Sequence, residues 1–207
     1  PNKDSRIANG VGLDAPASTT TLLAALEAAG YDIGQAPQQP KALMDLLMRG
    51  PTNMDPTRRA ETTMELSAAD YRAFFDGLPE KVRLEITERW GGPQDDPFWT
   101  GKGFHLALHR FGNILIGIQP QRGYHLDIEG TYHDPDLVPP HGYLAFYAAI
   151  RAQAHAVVHV PATVVLAVLL HGVPTLEPSP WLLELWSSCC VVCPPHPYFC
   201  ARQSPSP

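Results

Sequence analysis

Cysteine is missing from the first 160 residues of this 207-residue chain; all four cysteines fall between 161 and 207. A disulfide framework is thereby excluded from the main body, which has to be held by a packed core. Lysine and arginine form no cluster, and a net charge of −6 with a pI near 5.8 excludes the basic footprint of a nucleic-acid coat. Small molecules or other proteins are the expected partners. Long apolar runs are also lacking. The longest, "ATVVLAVLL" at 162–170, is about half the roughly 20 residues that a membrane-spanning helix needs, so no membrane span is predicted. There is no charged-plus-apolar leader: the chain opens on Pro1 and reads as a fragment or processed piece without a secretory signal, with a cytoplasmic setting expected.

What is present is the composition of a globular protein, 44% hydrophobic and 17% charged, with length for one core or at most two. "GVGLDAPASTTTLLAALEAAGYDIG" reads as a glycine-rich turn and then a helix. That helix is capped near Ser18, turns Leu22, Leu23 and Leu26 inward, and is closed by Gly30. "KALMDLLM" predicts a second short helix. "SAADYRAFFDGL" predicts a third, with Ser67 and Asp70 in capping-box register. In "PEKVRLEITERW", Pro79 suits a first helical position and Glu85 with Arg89 an i,i+4 pair. From residue 103 the period changes. "FHLALHRF" and "ILIGIQP" alternate on either side of Gly112-Asn113, which predicts a β-hairpin.

The stretch "YHDPDLVPPHGYLAFY" at 132–147 is the densest in chemistry. Pro135, Pro139 and Pro140 fix their own φ and bias the residues before them toward extended backbone, so the loop is pre-shaped. Tyr143, Phe146, Tyr147 and Ile150 follow at the spacing of one buried helical face. His133, Asp134, Asp136 and His141 therefore sit on a stiff lead-in to a helix N-terminus, as metal or substrate contacts or, more plainly, as caps of turns and of that helix. "AVVHV" then reads as a short buried strand with His159 near its end, either a core histidine or a ligand at the carboxyl end of a strand.

Other candidates weigh less. His105 and His109 lie four apart, but on an alternating strand, which favours a solvated or cross-strand role. "NGVGLD" lacks both the dinucleotide fingerprint and a P-loop lysine, and is better read as a tight turn. Cys190, Cys193, His196 and Cys200 have plausible zinc spacing, yet a single C-x₂-C knuckle among prolines is a weak signal.

"PNKDSRIANGVGLDAPAS", "HRFGNILIGIQPQRGYHLD" and "YHDPDLVPPHGYLAFY" followed by "AVVHV" together resemble the large subunit of the aerobic cobaltochelatases, the CobN type, and more distantly the H-type large subunit of magnesium chelatase. The resemblance covers residues 1–160 and makes the chain an interior piece of a much longer subunit. It implies an enzyme that inserts Co²⁺, as substrate metal, into the corrin-type tetrapyrrole hydrogenobyrinic acid a,c-diamide during cobalamin synthesis. ATP and Mg²⁺ would act on separate AAA+ partner subunits, and no tightly bound cofactor is expected in this chain. On that footing His133, His141 and His159 are candidate proton acceptors, and His133, Asp134, Asp136 and His141 candidate contacts of the entering ion. Arg122, with Tyr124 beside it, is a candidate contact for substrate carboxylates.

The resemblance stops after "AVVHV". Residues 161–207 hold nine of the 22 prolines, all the cysteines and only three charged residues, Glu177, Glu184 and Arg202. His171-Gly172 and Leu176-Glu177 echo the family's continuation at the wrong spacing. The expectation is a non-family tail, frameshifted after about Val160 or disordered. The fold class expected for the whole is α/β, mixed helices with a β-hairpin and short buried strands, ending in an irregular tail. The lobes are expected at 1–50, a helical connector to about 95, and a hairpin, loop, helix and strand unit to 160.

Overall fold

The computed structural model describes residues 9–10, 13–121, 123, 137–160 and 164–168. All of them belong to one compact unit, Pro1–Gly172. Strands β1 (Asn9–Gly10) and β2 (Leu13–Asp14) pair antiparallel; Val11 and Gly12, where the tight turn is expected, lie outside the described residues. Helix α1 (Ala15–Ala28) follows at once. Its N-cap is Asp14, whose carboxylate accepts from Ala17 N at 3.0 Å, four residues earlier than the cap expected at Ser18. The carboxylate outcompetes the hydroxyl because Pro16 supplies a first-turn residue without an N–H to satisfy. At the other end Gly30 N bonds Glu27 O and Tyr31 N bonds Leu26 O, with Gly30 at φ +89°, the paired bonds of a Schellman stop. Helix α2 (Pro40–Leu47) packs beside α1, burying Leu43 and Leu47 next to Leu23 and Leu26.

The region expected as a purely helical connector contains a strand, β3 (Thr63–Ser67), before α3 (Ala68–Asp76) and α4 (Glu80–Trp90). Ser67 ends that strand and caps α3 through Asp70 N at 3.0 Å, in the register read from the sequence. On α4, Pro79 is the cap and not the first helical residue. Glu85 pairs with Lys81 at 3.8 Å, while Arg89 lies over the Trp90 ring at 4.6 Å, in place of the expected Glu85–Arg89 pair. A single 3-10 turn, Pro93–Asp95, leads to the hairpin β4 (Gly103–Phe111) and β5 (Ile114–Ile118), turning at Gly112-Asn113 as the sequence predicts. Gly112 has φ +51°, and a Cβ there would stand 2.6 Å from Asp32 O, so only glycine fits. Helix α5 (His141–Gln153), strand β6 (Ala156–Val160) and strand β7 (Val164–Val168) complete the described fold.

The main sheet has the order β3-β4-β5-β7-β6 with every neighbouring pair antiparallel. Mixed helices with a small antiparallel sheet are thus the fold. One face of the sheet carries α1 and α2 over Ala107, Phe111, Ile114, Ile116 and Ile118. The other carries α3, α4 and α5 over Phe104, Leu106, Leu108 and Leu115. Both faces being covered explains why β4 and β5 are buried at almost every position and not only at alternate ones. β6, expected as a buried strand, is an edge strand with Val157 39% exposed. No described helix is long and apolar enough to cross a membrane.

Candidate functional site

Strand direction locates the site. β5 and β6 are each antiparallel to β7, so they run parallel to each other with one strand between them, joined by the loop and α5. Ile118 and Val160 both sit opposite Val164. The carboxyl ends of β5 and β6 therefore lie at the same level of the sheet, and the ligand-rich loop leaves from that end. His159, one residue before the end of β6, is partly buried, and its ring is 6.3 Å from that of Tyr147 on α5. Burial lowers its pKa by disfavouring the charged imidazolium.

Two clamps fix where the loop departs and returns. At departure, the Asn53 side chain donates from Nδ2 to Gln119 O at 3.0 Å and accepts at Oδ1 from Gln121 N at 3.2 Å. At return, Trp90 Nε1 donates to Val138 O at 2.8 Å. His141, 1% exposed, then opens α5 between two partners: Nε2 lies 3.1 Å from Gly91 O and Nδ1 2.6 Å from the Tyr71 hydroxyl. A carbonyl accepts only, so Nε2 carries the proton and Nδ1 accepts from Tyr71 O–H. Burial lowers the pKa of His141, against the Gly91 hydrogen bond and the nearby Asp96 and Asp95, which raise it. Burial and Asp96 push Tyr71 far up, so its hydroxyl stays a donor.

The α5 N-terminus has no side-chain cap of its own, since Pro140 precedes it. Asp96 serves in its place. Its buried carboxylate accepts from Gly142 N at 2.6 Å through one oxygen and from Phe98 N at 2.9 Å through the other. A negative charge at this end meets the unsatisfied N–H groups and the positive pole of the helix.

Of the residues singled out in the sequence, His141 and His159 are placed, while Arg122, Tyr124, His133, Asp134 and Asp136 lie outside the described residues, as does the cluster Cys190, Cys193, His196 and Cys200. His141, a candidate metal contact and proton acceptor from the sequence, has both its ring nitrogens engaged by protein groups. Among the described residues no group of three or more His, Cys, Asp or Glu is gathered as a metal would require. His105 and His109 play the cross-strand role, with Thr63 Oγ1 at 2.6 Å from His105 Nε2 and Thr62 Oγ1 at 2.8 Å from His109 Nδ1. They are not solvated, being 3% and 1% exposed, because the segment after α2 lies over that end of the sheet. Asn53, Tyr71, Trp90 and Asp96 went unread: each acts on backbone or ring atoms far away in sequence, and nothing local marks it.

An antiparallel sheet faced on both sides by helices, with the residues on either side of the 122–136 segment clamped by Asn53 and Trp90, defines a scaffold for that segment. Comparison with known proteins gives its family: residues 1–162 match the CobN/Magnesium Chelatase family model, and the chain belongs to that family. It is 50% identical over 161 residues to the aerobic cobaltochelatase subunit CobN of Sinorhizobium sp, covering 77% of this chain and 12% of that protein. The CobN of Pseudomonas aeruginosa is 44% identical over 163 residues, covering 77% and 13%. The H-type large subunit of magnesium chelatase from Chlorobaculum parvum is 31% identical over 151 residues, covering 72% and 12%. Among solved structures, the catalytic subunit of cobaltochelatase from Mycobacterium tuberculosis matches with a TM-score of 0.55 and 34% identity over 67% of this chain and 12% of that one. The chain thus spans about one eighth of the length of the relatives it matches.

Proposed function

We propose that this chain is a segment of a cobaltochelatase large subunit, contributing part of the groove in which Co²⁺ enters a corrin-type tetrapyrrole, hydrogenobyrinic acid a,c-diamide, in cobalamin synthesis. The observation that carries the reading is the contrast in likeness over one stretch: 50% and 44% identity to two CobN subunits against 31% to the large subunit of a magnesium chelatase. ATP is hydrolysed by AAA+ partner subunits, and the segment is inactive by itself. It acts as part of a soluble cytoplasmic assembly.

Metal insertion removes the pyrrolic N–H protons, strips water from the ion and holds a polycarboxylate ring. The loop chemistry matches those needs. His133, Asp134 and Asp136 receive the ion and exchange its water, since imidazole and carboxylate are both ligands of Co²⁺. His159, near the carboxyl end of β6, takes up a proton. Arg122 and Tyr124 hold substrate carboxylates, the guanidinium by its planar fork. His141, with both nitrogens already engaged, anchors the loop to α3 and α4 and leaves ion traffic to its neighbours.

The test is an insertion assay on a full-length CobN subunit whose matching segment is replaced by residues 1–160, with partner subunits and ATP. Co²⁺ insertion into the corrin precursor is expected, with His133→Ala and Asp134→Ala each lowering kcat/KM by at least tenfold, the scale of a lost ligand. Preferential Mg²⁺ insertion into a porphyrin would transfer the segment to the magnesium branch. Full activity in both variants would end the assignment of the loop.

A further inference from the structure

We propose that residues 48–62, the connection from α2 to β3, form an acid-released cover: proton uptake by His105 and His109 beneath it lifts the cover while the sheet stays folded. The surroundings of His105 are the reason. Thr63 Oγ1 donates its only proton to Ala60 O, so it accepts from His105 Nε2 at 2.6 Å, and Nε2 carries the ring proton. Nδ1 is then a bare acceptor, buried and without a hydrogen-bond partner. It is the one atom where this ring can take a second proton. A proton there makes a buried cation whose new N–H meets no acceptor, and both features are penalised. The ring is charged without that cost only when the cover is off it.

His109 lies under the same cover. Its Nδ1 is 2.8 Å from Thr62 Oγ1, and Gly50 backs so closely onto the other edge of the ring that a Cβ there would stand 3.0 Å from Nε2. Opposite it on β5 is Ile116, and the Phe111 ring is stacked beside it. The groups facing the pair offer no buried counter-charge. Burial disfavours the cation on both rings; Arg59 on the cover adds to this at His105, Glu65 on β3 opposes it there, and His105 adds to it at His109. Arg59 and Glu65 are exposed, Asp55 on the cover is paired with Arg58 at 3.2 Å, and the buried residues of α1 and α2 carry no charge. The cover is also thinly packed. Of its residues only Gly50, Pro51 and Thr52 are buried, whereas β4 beneath is buried at every position but Arg110. Local opening is drawn from such segments. Because the cover carries Asn53, its opening also frees Gln119 and Gln121 at the end of β5.

The test is hydrogen exchange on the intact 207-residue chain between about pH 7.5 and 5.5, read by mass spectrometry and divided by the intrinsic exchange rate at each pH. With an imidazole pKa near 6.5 when open and about 4 when closed, His109 alone raises the open population of the cover about tenfold over that range, and His105 adds to it. Amides of residues 48–62 should therefore lose at least about tenfold in protection. Urea up to about 1 M should barely change their exchange, since a local opening exposes little surface. Amides of β4 and β5 should stay slower throughout and respond to urea. His105→Gln keeps a donor for Thr63 and His109→Gln an acceptor for Thr62, and neither titrates, so the double variant should hold its cover protection within about twofold across the range. Cover protection that is level with pH in the wild type, or that falls in step with β4 and β5 and shares their urea response, overturns the proposal. So does a tenfold pH response that survives in the folded double variant. If the double variant does not fold, the wild-type profile decides by the same two criteria.

Discussion

His109 sits at 1% exposure on β4, hydrogen-bonded to Thr62, with a pKa lowered to about 4 by burial and by the neighbouring His105. In the unfolded chain the same imidazole titrates near 6.5. Between those values the unfolded state binds more protons than the folded one, so stability is complete above about pH 6.5 and is lost as pH falls toward 4. The loss from His109 alone is roughly 3 kcal/mol on the linkage relation. His105, His141 and His159 are lowered in the same direction, each chiefly by burial, and steepen the fall. Urea midpoints measured from pH 7.5 down to 4.5 should therefore drop, and His109→Gln should flatten the profile while keeping a side-chain acceptor for Thr62. A wild-type profile that is level over that range would contradict the neutral buried imidazole. The sequence showed that His105 and His109 share one sheet face, because strand alternation is a local property. It did not show that they are buried, because the segment covering them follows α2 and reaches them only through the tertiary fold.

Helix α5 shows why an element can be legible while its anchorage is not. Its apolar period and the prolines before it are written in consecutive residues, so both helix and stiff lead-in could be read directly. Its cap is supplied by Asp96, 46 residues earlier, and its first side chain is held by Tyr71, 70 residues earlier. No periodicity reports such pairings. β3 escaped for a different reason: "TMELS" is short, and its last residue already caps the next helix, so the helical signal overlies the strand signal. The Asp96 cap makes a firm expectation. Asp96→Ala leaves Gly142 N and Phe98 N without their acceptor in a buried setting and removes the charge at the helix pole, a cost of about 2–4 kcal/mol. Asp96→Asn keeps one carbonyl acceptor and should cost about half as much. Chemical denaturation measures both, and an Asp96→Ala variant within about 0.5 kcal/mol of wild type, a margin expected only of surface changes, would show that the long-range cap contributes nothing.

At the scale of the whole molecule, the family match ends at residue 162 while the sheet does not. β7, Val164–Val168, lies beyond the match and occupies the slot between the parallel strands β5 and β6, paired with five residues on each side. The tail was expected to be irregular, and for these five residues it is a strand at an inner position of the sheet. The composition that made residues 161–207 look foreign, rich in valine and leucine and poor in charge, is also what an inner strand needs. The rest of the tail lies outside the described residues. Without β7, both β5 and β6 present unpaired N–H and C=O groups along a full strand. Open strand edges of that kind pair with other chains. A chain ending at residue 162 should therefore self-associate or lose its cooperative transition, whereas the 207-residue chain should remain monomeric at the same concentration. Light scattering with thermal denaturation on both chains makes the comparison. If the shortened chain were monomeric with an unchanged Tm, β5 and β6 would have to close on each other directly, as a parallel pair bridged by α5, and β7 would be dispensable to the fold.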